Sequence, residues 1–166
     1  MNLRFVHLLL CLAGCAAAPH PTTLPRADDV ASPEALIAAF YAVVDLAPDA
    51  PRQWDRDRAL YRPELRFVGV GGDGSIATYT HAELVAGTEP MMAEGFRERE
   101  IHRVTRRYGN MVHVDSTYET VHRGKTRRGV NSIDMIFDGS RWWIASVVWQ
   151  TESARFPIPA ELLPAT

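Results

Sequence analysis

Cysteine is scarce in this 166-residue chain: Cys11 and Cys15 are the only two, and nothing beyond position 15 carries a thiol. A folded part without thiols has no disulfide, no thiolate nucleophile and no cysteine metal site. Long apolar runs are missing too. Phe5 to Leu12, interrupted by His7, falls well short of the roughly 20 residues a permanent membrane-spanning helix needs. Basic excess is absent: 18 Lys and Arg stand against 20 Asp and Glu, a net charge of −2, which argues against a nucleic-acid binder. The Gly-rich stretch Gly71-Gly72-Asp73-Gly74 lacks the Lys-Ser/Thr of a phosphate-binding loop, and no G-x-G-x-x-G opens a helix, so it reads as a hairpin turn. No His-x-x-x-His pair exists, and His102 and His113 fall on opposite sides of adjacent strands. Neither a metal nor a cofactor is expected.

What the N-terminus does contain is an address. Arg4 supplies a positive start, Phe5 to Leu12 a short apolar stretch, and Leu12-Ala13-Gly14-Cys15 resembles the lipobox of bacterial lipoproteins. That resemblance implies a signal peptide over 1–14, cleavage before Cys15, and lipidation of Cys15 by a thioether and an amino-terminal acyl chain such as palmitate. More than one acyl chain gives stable anchoring to a bilayer. Loss of Arg4 with the leader leaves 17 basic against 20 acidic residues, a net −3. Ala16 after the cysteine, by the same resemblance, favours the outer membrane, with the protein facing the periplasm. Residues 15–31, with three prolines and no apolar periodicity, read as the lipidated cysteine and an extended tether.

Ser32-Pro33-Glu34 is a helix start, followed by Leu36, Ile37, Phe40, Val43 and Val44 at three-and-four spacing. A second, shorter helix is predicted over about Arg52 to Tyr61, with Trp54, Arg58 and Tyr61 on one side. Leu65 to Val70 and Ser75 to Tyr79 form a hairpin. Thr80-x-x-Glu83 is a capping box opening a third helix, which Pro90 kinks or splits. From Gly95 to Glu152 four β-type runs follow one another with short turns, an antiparallel meander of one strongly bent sheet. The domain is therefore expected over 32–152, with a Pro-rich surface tail at 153–166.

The order helix, helix, hairpin, helix, four-strand meander resembles the nuclear transport factor 2-like superfamily, which includes SnoaL-like cyclases, ketosteroid isomerase and scytalone dehydratase. An uncharacterised bacterial branch is similar at Gly95-Phe96, Glu98, Glu100-Ile101-His102-Arg103, Gly109-Asn110, His113-Val114, Ser116, Tyr118-Glu119, Arg128-Gly129, Asn131-Ser132-Ile133 and Arg141-Trp142-Trp143-Ile144. The resemblance implies an α+β, cone-shaped fold in which a strongly bent antiparallel sheet packs on three helices from the N-terminal half. It also implies a pocket at the open end of the cone and homodimers through the outer sheet face.

A three-residue turn at Tyr108-Gly109-Asn110 would pair Arg107 with Met111, Arg103 with Asp115 and Arg99 with Glu119. Glu100, His102 and Val104 would then face inward, across from Tyr118, Ser116 and Val114. On this register Glu100, His102 and Tyr118 meet. A carboxylate beside an imidazole can make a general base, and a phenol or amide can steady an enolate-like oxygen. Candidate ligand-binding residues are Asn131, Ser116, Trp54 and Trp142. The same polar residues also suit a satisfied buried network that only fixes the sheet. Two functions stay open: a non-catalytic module binding a small apolar ligand or a protein partner, and a cofactor-independent isomerase or dehydratase using His102 with Glu100. The loop His122 to Arg128 is a positive patch, solvated in the ordinary case.

Overall fold

The computed structural model describes residues 26–47 and 50–165. The leader, Cys15 and most of the tether lie outside the described residues. Three helices precede the meander: α1 (Pro33–Ala42), α2 (Trp54–Arg58) and α3 (His81–Ala93). The strands are β1 (Phe67–Val70), β2 (Ile76–Tyr79), β3 (Arg97–Tyr108), β4 (Met111–His122), β5 (Lys125–Phe137) and β6 (Trp142–Thr151).

The helix starts follow local chemistry. The Ser32 hydroxyl accepts from the Ala35 amide at 3.1 Å, with Pro33 at the first helical position, where its missing N–H costs nothing. The capping box closes both ways: the Glu83 amide donates to the Thr80 hydroxyl at 3.2 Å, and the Thr80 amide to the Glu83 carboxylate at 2.7 Å. Pro90 sits inside α3 without ending it. The second helix is shorter than predicted. After Arg58 the chain leaves it, and Tyr61 makes a parallel bridge to Ile144 of β6.

The fold class is α+β, as expected, but the sheet is mixed rather than wholly antiparallel. Its order is β2-β1-β6-β5-β4-β3, and β1 runs parallel to β6. Parallel neighbours need a long connection, and here α3 and four strands, β2 to β5, supply it. Fully buried Leu36, Ile37, Val43 and Leu60 meet Val114, Ile133, Met135 and Ile144 of the sheet in one core.

The β3–β4 register corrects one expectation. Tyr108 pairs with Met111, so the turn is the two-residue Gly109-Asn110, with Gly109 at φ +56°. That slip would invert every side chain along the hairpin, but a bulge between Glu100 and His102 absorbs it. Below the bulge the expected pairs stand: Arg99 faces Glu119 and Glu100 faces Tyr118. Above it, Arg103 faces Ser116, Val104 faces Asp115, and His102 faces Thr117.

Both ends of the packed unit reach further than expected. The 3-10 turn Ala27–Val30 docks through buried Val30 and through Asp29, whose carboxylate takes two bonds of 2.8 Å from Arg56. The C-terminal segment runs over the outer sheet face: Ile158 is buried, and the Thr117 hydroxyl donates to the Leu162 carbonyl. Part of the face expected to carry a homodimer is thus covered by the chain itself.

Candidate functional site

Residues alternate along each strand, so β3, β4 and β5 each offer every second side chain to the concave face. Between that face and the three helices lies a cavity of about 300 Å³. Its walls are mostly apolar: Phe40 from α1 and Val44 just after it, Leu84, Met91 and Met92 from α3, Phe96, and Val147 and Trp149 from β6. Trp149 lies over Gly69, where a Cβ would meet the indole at 2.8 Å, and stacks on Tyr79 with centroids 6.2 Å apart. Polar groups enter among them, notably Glu98, Asn131, Tyr118 and Asp57, with Thr120, Arg127 and Thr151 on the same wall.

Glu98 is the most perturbed of these. Burial pushes its carboxyl up to about 7, a shift that the Asn131 amide partly opposes and the charge of Asp45 adds to. Among the described residues no cation is paired with it, so near neutral pH it both gives and takes a proton readily. Tyr118 stands two residues along the neighbouring strand from Glu98's partner Thr120. Burial raises its phenol to about 12, and its hydroxyl lies 3.3 Å from that of Thr151. The ring occupies the space above Gly129, where a Cβ would come within 2.3 Å of the phenol oxygen.

Behind Asn131 runs a one-way chain of hydrogen bonds. The Ser116 hydroxyl donates to Glu100 at 2.5 Å, so its oxygen is left to accept from Tyr41 at 2.6 Å. Tyr41 in turn accepts from the Asn131 amide at 3.2 Å. Glu100, the terminus of this chain, is held by both arms of the Arg103 guanidinium at 2.9 and 2.5 Å. Burial holds the Tyr41 phenol far above its usual range. This network holds the Asn131 amide, which donates to Tyr41, in place at the cavity wall.

A second polar cluster sits on the helical wall. The Tyr61 phenol donates to one Asp57 oxygen at 2.7 Å, and His81 Nε2 lies 2.7 Å from the other. Burial raises Tyr61 well above the ordinary phenol range, and the Asp57 charge adds to that. His81 Nδ1 is buried with no partner among the described residues.

Of the residues singled out from sequence, Tyr118, Asn131 and Trp54 line the cavity. The Trp54 indole is anchored by donating to Glu89 at 3.0 Å. Ser116 and Glu100 sit one layer behind, in the Tyr41 chain. Trp142 does not reach the cavity: it packs at the other end of the sheet against Phe137, with the Arg107 guanidinium 5.2 Å from its ring. His102 is not brought to Glu100 and Tyr118. Cross-strand partners share a face, and its partner Thr117 points outward to Leu162, so the bulge has turned the imidazole to the outer side. Glu98, Asp57, Tyr41 and His81 were not anticipated. The signal for Asp57 was present: Trp54, Asp57 and Tyr61 share a helical side, where Arg58 had been placed. Glu98 alternates with Phe96 and Glu100 on one strand face.

No protein-family model matches the chain, and no curated protein does. Solved structures do. A nuclear transport factor 2-like protein of unknown function from Silicibacter pomeroyi aligns with TM-score 0.56 at 14% identity, over 74% of this chain and 94% of that one. One from Pseudomonas aeruginosa aligns with TM-score 0.56 at 13% identity, over 72% and 97%. A candidate ketosteroid isomerase from Kribbella flavida aligns with TM-score 0.54 at 15% identity, over 85% and 94%. The chain therefore has the cone-shaped nuclear transport factor 2-like fold.

Proposed function

We propose that this chain is a lipid-anchored envelope protein whose cone binds a small, mostly apolar molecule without catalysing its conversion. The observation that carries this reading is the cavity of about 300 Å³, apolar on most sides with a few convergent polar groups, the usual make-up of a small-molecule site. A native mass spectrum of the full chain, purified without denaturation, tests it. The wild type is expected to carry a bound molecule of low mass. Leu84→Trp, which fills the cavity from α3, is expected to lose it, and His102→Ala, on the outer face, to keep it. Equal retention by Leu84→Trp would count against the cavity as the site.

The anchor rests on the N-terminal pattern alone. Labelled palmitate is expected to enter the wild-type chain in a bacterial host and not Cys15→Ser, with the wild type recovered in the outer-membrane fraction. Labelling of Cys15→Ser would remove the lipoprotein reading.

A second reading is favoured by one observation, the carboxyl of Glu98 held near neutrality inside an apolar chamber. A base poised there removes a proton next to a carbonyl, and Asn131 or Tyr118 orients the oxygen that gains charge. This is a cofactor-independent isomerase or dehydratase with Glu98 in the role first expected of His102.

A further inference from the structure

We propose that the cavity takes a small amphipathic monoanion, with its apolar body inside and a carboxylate held by Arg127 at the mouth. The proposal rests on the cavity being a binding site and names the class of molecule it admits.

Arg127 is the one cation among the described lining residues, and it also borders the adjoining surface depression formed with Glu119, Arg128, Thr151 and Glu152. Apart from the buried Glu98, the carboxylates at this end of the cavity are already matched. Glu119 is held by Arg99 at 2.7 Å, Glu152 by Arg128 at 2.9 Å, and Glu94 by Arg123 and His122. No hydrogen bond or ion pair engages the Arg127 guanidinium among the described residues; only its backbone carbonyl is used, by Thr120. A charge left over at the lip of an apolar chamber is the element that a bound anion would complete. The fork of a guanidinium suits a carboxylate better than a point charge does.

Geometry sets the size. Glu98, Thr120 and Arg127 are successive partners across three strands and form the mouth row. Asn131 lies four residues further along β5, or about 13 Å at 3.3 Å per residue. A cavity of about 300 Å³ holds the equivalent of roughly ten waters at 30 Å³ each. A body of eight to ten non-hydrogen atoms, with its carboxylate at Arg127 and its far end at the Asn131 amide, fits both measures. Glu98 opposes it less than an ordinary carboxylate would, since burial raises its value to about 7 and below that pH it is mainly protonated.

Calorimetric titration of the full chain with octanoate and with 1-octanol at pH 6.5 tests the assignment, using wild type, Arg127→Gln and Arg127→Lys. Wild type is expected to bind octanoate at least tenfold more tightly than octanol. Arg127→Gln should lose that preference and leave octanol unchanged, and Arg127→Lys should keep part of it. Equal affinity of wild type for both probes would overturn the anion assignment while leaving the cavity as a site. Binding of neither would overturn both. Loss of octanol together with octanoate in Arg127→Gln would show the arginine to be a wall residue and also refute the proposal.

Discussion

Glu98→Gln is expected to make the protein more stable at pH 8, by roughly 3 kcal/mol, and to leave it nearly unchanged at pH 4. The sign follows from proton linkage. Glu98 has an ordinary value of 4.5 and is raised to about 7 in the fold, chiefly because burial disfavours its charge. Below pH 4.5 the group is protonated in both states and contributes nothing to the pH dependence. Between 4.5 and 7 the native state holds the proton and the unfolded state does not, so stability falls as pH rises. Above 7 the full penalty is present. A shift of about 2.5 units corresponds to roughly 3 kcal/mol at 1.36 kcal/mol per unit. Glutamine keeps the shape and carries no charge, so it removes the penalty. Urea unfolding of both proteins at pH 4 and pH 8 measures it. A difference that is the same at both pH values would show that Glu98 ionises normally in the fold. The wild type keeping a destabilising carboxyl where an amide fits is what a functional site looks like when activity and stability pull apart. If the proton-transfer reading holds, the same variant loses turnover while gaining stability.

Much of the fold was legible because its signals are local. Ser32-Pro33 and Thr80-x-x-Glu83 specify helix starts through hydrogen bonds within four residues, and Asp138-Gly139-Ser140 specifies a turn in which the Asp138 carboxylate gathers the Ser140 and Arg141 amides. Which face His102 takes is not a local matter. It depends on a turn of two residues and a bulge eight residues away, and a one-residue slip between them moves a side chain from the cavity to the outer face. The parallel pairing of β1 with β6 is likewise a long-range choice. Tyr118 and Asn131 were legible as inward residues from strand alternation. Glu98 was not, since a carboxylate on a charged strand looks the same whether it is solvated or enclosed. Only the helices packed over it make Glu98 unusual.

Gly129→Ala is expected to destabilise the protein by about 3 kcal/mol and, on the proposal that the cavity is a small-molecule site, to weaken binding of octanol there more than tenfold. The glycine is needed for space, not for a left-handed backbone. A Cβ would come 2.3 Å from the Tyr118 hydroxyl oxygen, 2.4 Å from its Cζ and 2.5 Å from the Gln150 carbonyl oxygen. Overpacking of a tight site costs about 1–3 kcal/mol, and the upper end applies because one of the three contacts is backbone of the paired strand β6. The tyrosine is the side that can move, and the open direction is the cavity it lines, so the same methyl that strains the sheet fills the site. A double-mutant cycle with Tyr118→Leu separates the two contributions. The leucine relieves the ring contacts and not the Gln150 contact, so the pair is expected to be more stable than the sum of the single changes by 1 kcal/mol or somewhat more, with the remainder of the Gly129→Ala cost persisting. Additivity within about 0.5 kcal/mol, the range found for independent sites, would mean that Tyr118 does not rest on Gly129 in solution. The wall of the cavity would then have to be redrawn without it.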